Sequence, residues 1–289
     1  MDKIVPFIKW PGGKRSLLKE IRKRIPNDFQ RYLEPFVGAG SVLLDNLQRF
    51  DSEKIEFIVA DLNKALITAW SDIQSRPGIV IRELEKITND YQKLEGERCE
   101  EFYYGIRDMF NDCLNECLYD EKRFTAFFIF LNLTGYNGIY RTNSKGVYNV
   151  SFGKRYEFLP DMENIRAISK LIRNVNFIHC SFDETLKYLD ENTFAYLDPP
   201  YKPVTKIGPS TGLYGSEFSD DDQLCVAEYL HYADSMGTKF LMSNSYSSFF
   251  IDLYNDIYDI DYVYCQRSVN SDPSGRGPVQ EIMVRNFNV

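Results

Sequence analysis

Asp198-Pro199-Pro200-Tyr201 is the string in this 289-residue chain whose residue types could do chemistry together. Two successive prolines stiffen the backbone and remove N–H donors, so the Asp198 carboxylate and the Pro199 carbonyl stand as fixed acceptors beside the aromatic face of Tyr201. Acceptors next to a stacking ring suit a planar exocyclic amine, such as the N6 amino group of adenine. Chance placement of these four residues in a chain of this length has a probability on the order of one in a thousand at average composition. A rigid loop with a capping aspartate is the plain structural alternative.

Two glycine turns add to the pattern. Gly38 and Gly40 follow an apolar run and precede a helical one, where glycine lets backbone approach a ligand at a helix N-terminus. Asp61 ends the next apolar run 21 residues after Gly40, the spacing at which an acid meets ribose hydroxyls in dinucleotide-binding folds. A tight turn with a helix-capping aspartate would use the same residues. Gly12-Gly13-Lys14 invites a phosphate-loop reading, but the positions that would need glycine and Ser or Thr hold Ile8 and Arg15. What remains, Trp10-Pro11-Gly12-Gly13-Lys14, brackets a flexible turn with an aromatic ring and a cation. It suits a charged ligand that carries a ring.

Other chemistries find little support. The six cysteines contain no C-x-x-C and only His179 and His231 could join them, so no metal is expected. Cys113 and Cys117 read as two buried cysteines on one helix face. A nuclease would need a carboxylate cluster with a nearby lysine. Asp120-Glu121-Lys122 is the only such triplet, and Pro160-Asp161 lies after it rather than before. The N-terminus has no secretory pattern, and no apolar run reaches the roughly 18 residues of a membrane span. A soluble, cytoplasmic protein in a reducing compartment is expected.

The elements that must position these residues are legible as periodicities. Leu17, Leu18, Ile21 and Ile25 recur at helical spacing over 15–25. A strand over 32–36 leads into Val37-Gly38-Ala39-Gly40, and a helix follows over 41–47. A second strand over 55–60 stops at Asp61, with a helix over 62–73. This alternation predicts an α/β fold built on a parallel sheet. From about 77 to 155 the character changes, with helices expected over 79–91, 102–118 and 124–133 and then a glycine- and asparagine-rich stretch. There, residues 140–142 and 147–150 flank Asn143-Ser144-Lys145-Gly146, a hairpin by its turn chemistry. Further strands are expected over 175–179, 193–197, 239–243, 262–264 and 281–285.

In their order along the chain these strings resemble the Dam-type DNA adenine-N6 methyltransferases, the D12 class that includes the DpnII-system enzyme. Phe7-Ile8-Lys9-Trp10-Pro11-Gly12-Gly13-Lys14 is similar to the family's N-terminal motif, and Glu34-Pro35-Phe36-Val37-Gly38-Ala39-Gly40 to its cofactor loop. Asp198–Tyr201 is similar to its catalytic motif. Gly135-Tyr136-Asn137-Gly138-Ile139-Tyr140-Arg141 and Tyr148-Asn149-Val150-Ser151-Phe152-Gly153 are similar to its DNA-recognition hairpin.

The resemblance implies a Rossmann-like, S-adenosylmethionine-dependent catalytic domain over 1–76 and 157–289. A mainly helical target-recognition domain carrying the hairpin would be inserted over 77–156. It implies methyl transfer to N6 of an adenine flipped out of double-stranded DNA, with Asp198 and the Pro199 carbonyl accepting the amino hydrogens and Tyr201 stacking on the base. Trp10, Lys14, Phe36, Gly38, Gly40, Asp61, Phe182 and Asp198 would form the cofactor site; a core phenylalanine is an equally fair reading of Phe182. For DNA it implies Tyr136 as a wedge, Asn137 as a further DNA contact, Arg141 on a guanine, Ile139 on a thymine methyl and Lys9 on an outer guanine. These favour GATC. Ser151 stands where the family pattern has a proline, which bears on the inner base. RNA or protein methylation by a related catalytic loop is the competing reading. Monomeric action is the default expectation.

Net charge alone points the other way: 34 Lys+Arg against 42 Asp+Glu leave −8. The distribution is uneven, however. Residues 1–24 hold eight Lys and Arg against Asp2 and Glu20, and 134–155 hold Arg141, Lys145, Lys154 and Arg155 with no acid. The acids gather at Glu217, Asp220, Asp221, Asp222, Asp252, Asp256, Asp259 and Asp261. A polarised molecule is expected, with two basic segments flanking DNA.

Overall fold

Strands as apolar as Thr-Phe-Ala-Tyr-Leu offer no polar face to water and are stable where both sides are covered. The computed structural model describes residues 4–201, 218–266 and 278–288, with backbone alone at 265, 266, 278 and 279. Its strands are β1 (Arg31–Glu34), β2 (Glu56–Asp61), β3 (Val175–His179), β4 (Thr193–Leu197), β5 (Lys239–Ser245), β6 (Asp259–Gln266) and β7 (Pro278–Arg285). They form one sheet in the order β3-β2-β1-β4-β5-β7-β6, parallel except for β7, which runs antiparallel to both its neighbours. This is a doubly wound, Rossmann-like α/β architecture, the fold class expected from the sequence.

The strand order reverses between β1 and β4: the chain winds outward from β1 to β3, then returns to the middle and winds the other way. Loops leaving the C-terminal ends of these two strands must diverge, which opens a crevice at that edge. The turn at 35–40 leaves β1 and the loop at 198–201 leaves β4. Asp61 ends β2 at the same edge.

Period-2 alternation sends the side chains to two cores. Leu33, Ile58, Ala195, Leu197, Phe240 and Met242 face α8 (Asp220–Ser235) and α9 (Ser248–Tyr254). Tyr32, Phe57, Val59, Phe194 and Tyr196 face the other way, toward α1 (Leu18–Arg22), α2 (Ser41–Leu47), α3 (Lys64–Ser75) and α7 (Met162–Leu171). That second core runs on without a break into α4 (Pro77–Tyr91), α5 (Glu97–Asn115) and α6 (Phe124–Thr134). Phe124 to Leu131 of α6 are buried on every side, so this helix is the shared centre of the packing rather than an amphipathic cover.

Trp70 of α3 is the pin. It is fully buried, stacks on Phe177 at 5.4 Å and 11°, meets Phe7 edge-on at 4.8 Å and donates its indole N–H to the Gly38 carbonyl at 3.2 Å.

Some expectations are corrected. The first helix is shorter than 15–25, a 3₁₀ turn at Lys14–Ser16 followed by the single turn and a half of α1. The hairpin forms, but through the isolated bridges Thr142–Tyr148 and Gly135–Phe152 rather than a ladder. Its turn is held by Asn143, whose side chain accepts from the N–H groups of Lys145 and Val147. Cys113 is buried in α5, whereas Cys117 lies beyond the helix end with φ of +56° and is exposed. The two cysteines therefore do not share a helix face.

Gly40 caps α2 at φ +69°, and a Cβ there would lie 2.6 Å from the Trp70 ring. Gly40→Ala is expected to cost about 2–4 kcal/mol from left-handed strain and overlap together. Gly105→Ala, exposed in the middle of α5 with open space around it, is expected to stabilise by about 0.5–1 kcal/mol. Urea unfolding midpoints of the two variants check both signs.

Candidate active site

β4 delivers Asp198 to the crevice, and the fold places a cation against it. Lys14 lies in the 3₁₀ turn after the Trp10–Gly13 segment, 5% exposed, with its Nζ 2.8 Å from Asp198 Oδ1 and 2.7 Å from the Gly12 carbonyl. The same ammonium stands 4.4 Å from the centroid of the Tyr201 ring. Burial raises the Asp198 carboxyl to about 6, while the charge and hydrogen bond of Lys14 pull the other way. Asp198, Tyr201 and Lys14, read separately in the sequence, are one cluster.

Further residues brace this loop. The Tyr201 hydroxyl donates to Glu281 Oε2 at 2.7 Å. Gln223 of α8, fully buried, donates to the Pro200 carbonyl at 2.8 Å and accepts from Asn244 of β5 at 3.3 Å. Pro199 is buried. None of Glu281, Gln223 and Asn244 was singled out by sequence. A polar residue on the buried side of a helix or strand is the only signal they give, and it needs the structure to be seen.

The second half of the crevice is built by the β1 turn. Asp61, 5% exposed, accepts from the Gly38 N–H at 3.0 Å through one oxygen and from the Asn63 N–H at 2.8 Å through the other. It ties the glycine turn to the end of β2, while the cap of α3 is Asn63, whose side chain accepts from Leu66 N–H. Burial raises the Asp61 carboxyl to about 6 against those two hydrogen bonds. Gly38 is tight for a second reason: a Cβ there would sit 3.0 Å from Trp10 Cδ1. Both glycines of this turn thus accommodate a tryptophan, as well as leaving backbone open.

Phe36 and Phe182 stack at 5.3 Å and 29°, and Phe218 meets Phe36 edge-on at 6.4 Å. All three are half-buried, so Phe182 is not a fully enclosed core residue. Glu34, just before the turn, is buried beside Asp61 and Asp198 and accepts the Tyr32 hydroxyl at 2.7 Å; burial pushes its carboxyl well above the usual range. A carboxylate acceptor, half-buried rings and a cation along one edge form a donor set matched to a nucleoside with a charged tail.

Trp10 joins the crevice to the hairpin, stacking on Tyr140 at 5.9 Å and 26°. Beyond it, Asn132 of α6 is a clamp. Its side chain accepts from Lys9 N–H at 2.8 Å and donates to the carbonyls of Lys9 at 2.8 Å and Gly138 at 2.9 Å. Gly138 has φ of +62°, and a Cβ there would lie 2.6 Å from Lys9 Cδ. The N-terminal segment and the Tyr136–Gly138 turn are therefore one unit, which the sequence presented as two distant motifs.

From that unit Tyr136, Asn137, Arg141 and Ser151 are exposed and Ile139 is half-buried. Arg141 is held by Asn149, whose side-chain oxygen accepts from Nε at 2.8 Å. Lys9 is exposed, and partial burial together with the nearby Arg155 holds its amine below the usual lysine range.

The expected basic N-terminal segment is corrected by ion pairs. Lys14, Arg22, Lys23 and Arg24 pair with Asp198, Asp45, Glu20 and Asp261, carboxylates mostly remote in sequence. Lys3 and Asp2 lie outside the described residues, as does Glu217 of the acidic set. Among the described residues no helix is long and apolar enough to cross a membrane, and no His, Cys, Asp and Glu group could hold a metal ion.

Replacing Asn132 by Leu would strip partners from two Lys9 backbone groups and one at Gly138. A loss of about 3–5 kcal/mol is expected in chemical denaturation, with faster proteolysis at the Lys9 segment.

Comparison with known proteins agrees with this geometry. The family model described as D12 class N6 adenine-specific DNA methyltransferase matches residues 10–269. A type II methyltransferase, M.MjaIII of Methanocaldococcus jannaschii, is 36% identical over 98% of this chain and 99% of its own. A DNA adenine methylase of Vibrio cholerae is 31% identical over 98% of this chain and 96% of its own. The type II methyltransferase M1.LlaDCHI of Lactococcus lactis is 29% identical over 98% and 95%. With the glycine turn, Asp61 and the Asp198 loop all inside the matched region, the chain belongs to the D12 class of N6 adenine-specific DNA methyltransferases.

Proposed function

We propose that this protein transfers a methyl group from S-adenosylmethionine to N6 of an adenine extruded from duplex DNA, within GATC. The observation that carries the reading is the cluster at the end of β4: a carboxylate acceptor beside an aromatic ring, with a cation lying on both. Asp61 would take the ribose hydroxyls of the donor, Phe36 and Phe182 its adenine, and Trp10, Lys14 and the Gly38–Gly40 turn its amino-acid end. When bound, the donor supplies an electrophilic sulfonium methyl.

The chain's own residues do the rest by positioning and electrostatics. In this structure the Lys14 ammonium donates to Asp198 and covers the Tyr201 ring, so it holds the place where an arriving amino group would bind. That group would displace it, and Lys14 would then hold the carboxylate of the bound donor. Asp198 and the Pro199 carbonyl would then accept the two amino hydrogens. This favours a pyramidal nitrogen whose lone pair is free to attack; the proton that N6 must then shed would leave by way of the Asp198 carboxylate to solvent, and Tyr201 holds the base plane.

Recognition falls to residues 77–156. Asn149 engages Arg141 twice, its side-chain oxygen accepting from Nε at 2.8 Å and its carbonyl from one Nη at 3.4 Å, so the remaining guanidinium N–H groups would read guanine O6 and N7. Tyr136 would enter the stack from which the base leaves, with Asn137 contacting the DNA beside it. Ile139 would touch a thymine methyl, Ser151 an inner base and Lys9 the outer guanine.

Methylation of a plasmid, read by GATC-cutting nucleases that differ in methyl sensitivity, is the primary test. Methyl transfer to RNA, single-stranded DNA or protein instead would overturn the duplex-adenine assignment. Asp198→Ala is expected to reduce transfer by at least about a hundredfold with donor binding still measurable. Arg141→Lys should cost about 1–3 kcal/mol of discrimination at one guanine. Neutralising Lys145 and Lys154 should flatten the salt dependence of binding by roughly two phosphate contacts.

The pH dependence has a fixed sign. Asp198 is the strong acceptor, with no O–H of its own, when it is ionised, and burial raises its carboxyl to about 6. The single-turnover rate should therefore fall about tenfold per unit below that pH. Asp61, also near 6, should give the same limb in donor affinity, and Asp198→Asn should abolish the rate limb alone. Because the folded state retains protons that the unfolded chain releases near 3.8, these two groups lower stability as pH rises from about 4 to 6.

A further inference from the structure

We infer that Glu281 is a positioning residue for base capture, fixing the Tyr201 ring on which the extruded adenine stacks. The inference rests on the adenine-methyltransferase reading above and extends it to a strand that none of the motifs covers.

Glu281 reaches the crevice because β7 is inserted antiparallel between β5 and β6. In that register it pairs with Ser245, the last residue of β5, and so lies at the same sheet edge as the end of β4. A parallel strand would have carried its early residues to the opposite edge.

Tyr201 follows Pro200 outside any helix or strand, so no backbone ladder fixes its ring. Its holds are side-chain ones. The hydroxyl lies on the long axis of the ring, and its 2.7 Å bond to Glu281 Oε2 fixes where that axis points. Lys14, 4.4 Å from the ring centroid, lies over the face, and Gln223 secures the preceding carbonyl.

A carboxylate is the fitting partner. It accepts a charge-assisted bond from the phenol and carries no N–H that could compete for Asp198, the acceptor meant for the target amine. Burial and the charges of Asp198 and Glu281 keep the phenol protonated, so it remains a donor.

The test uses the full chain, S-adenosylmethionine and a duplex GATC oligonucleotide, with 2-aminopurine in place of the target adenine for the flipping signal. Glu281→Ala is expected to lower the single-turnover rate at saturating DNA about tenfold and to weaken the flipping signal, the loss typical of a charged hydrogen bond. Donor affinity, read by equilibrium dialysis, should stay within about twofold, which also verifies folding. Glu281→Gln retains an acceptor oxygen but loses the charge and brings an N–H that can compete for Asp198, so it should recover part of the rate, between Glu281→Ala and the wild-type chain. In a Tyr201→Phe background, with no hydroxyl to hold, Glu281→Ala should add less than about twofold. Losses that multiply in the double variant, or an unchanged rate in Glu281→Ala, would overturn the inference. Failure of the wild-type chain to methylate DNA adenine would instead overturn the reading on which it rests, and the inference with it.

Discussion

The contact between Lys14 and Asp198 is the point on which the crevice turns. It joins the N-terminal segment to the end of β4 across 184 positions, at 2.8 Å, with the lysine almost entirely enclosed. Such a pair adds little net stability, because the desolvation of both ions offsets most of their attraction. Its consequence is directional. With one partner gone, the other would be left as a buried charge, so the N-terminal turn and the β4 loop hold each other in register. The same ammonium faces the Tyr201 ring, and the Tyr201 hydroxyl reaches β7. Three parts of the chain thereby meet at one carboxylate.

Around that contact the packing is aromatic and continuous. Trp10 and Trp70 stand on either side of the glycine turn, the first touching Gly38 and the second Gly40. Trp70 belongs to the sheet-covering layer and Trp10 stacks on Tyr140 of the hairpin region. The turn that would hold the methyl donor is therefore linked to the hairpin that would read DNA through the stacked rings of Trp10 and Tyr140. Close-packed layers of this kind transmit displacement rather than absorb it. Asn132 and Gly138 extend the same rigidity to Lys9, so the residues assigned to recognition share a frame with those assigned to chemistry.

Much of this frame was legible in the order of residues. Strands over 175–179 and 193–197 and the helix over 41–47 form where their periodicity puts them, because each is a local pattern flanked by its own turn residues. The Asp198 string, the two glycine turns and Asp61 announced themselves by composition and spacing. What was missed is non-local. α8 carries only a weak amphipathic signal, and Gln223, Asn244 and Glu281 are ordinary polar residues until α8, β5 and β7 bring them to the crevice. The count of basic residues near the N-terminus overstated a charged surface, since Arg22 and Arg24 are neutralised by Asp45 and Asp261 from other elements.

The sequence by itself determined the α/β class and the parallel part of the winding, pointed to the family through the resemblance of its motifs, and named Asp198, Tyr201, Lys14 and Asp61 among the residues of the crevice. The fold class and the stiff or tight turns follow from short-range rules: period-2 and period-3.6 burial, proline stiffness and the conformational freedom of glycine. Only the tertiary structure decided which of those residues meet. Strand order sets the edge at which loops diverge, and the antiparallel β7 selects Glu281 as the partner of Tyr201. The ion pair of Lys14 with Asp198, and the clamp of Asn132 on Lys9 and Gly138, depend on distances through space that no spacing along the chain encodes.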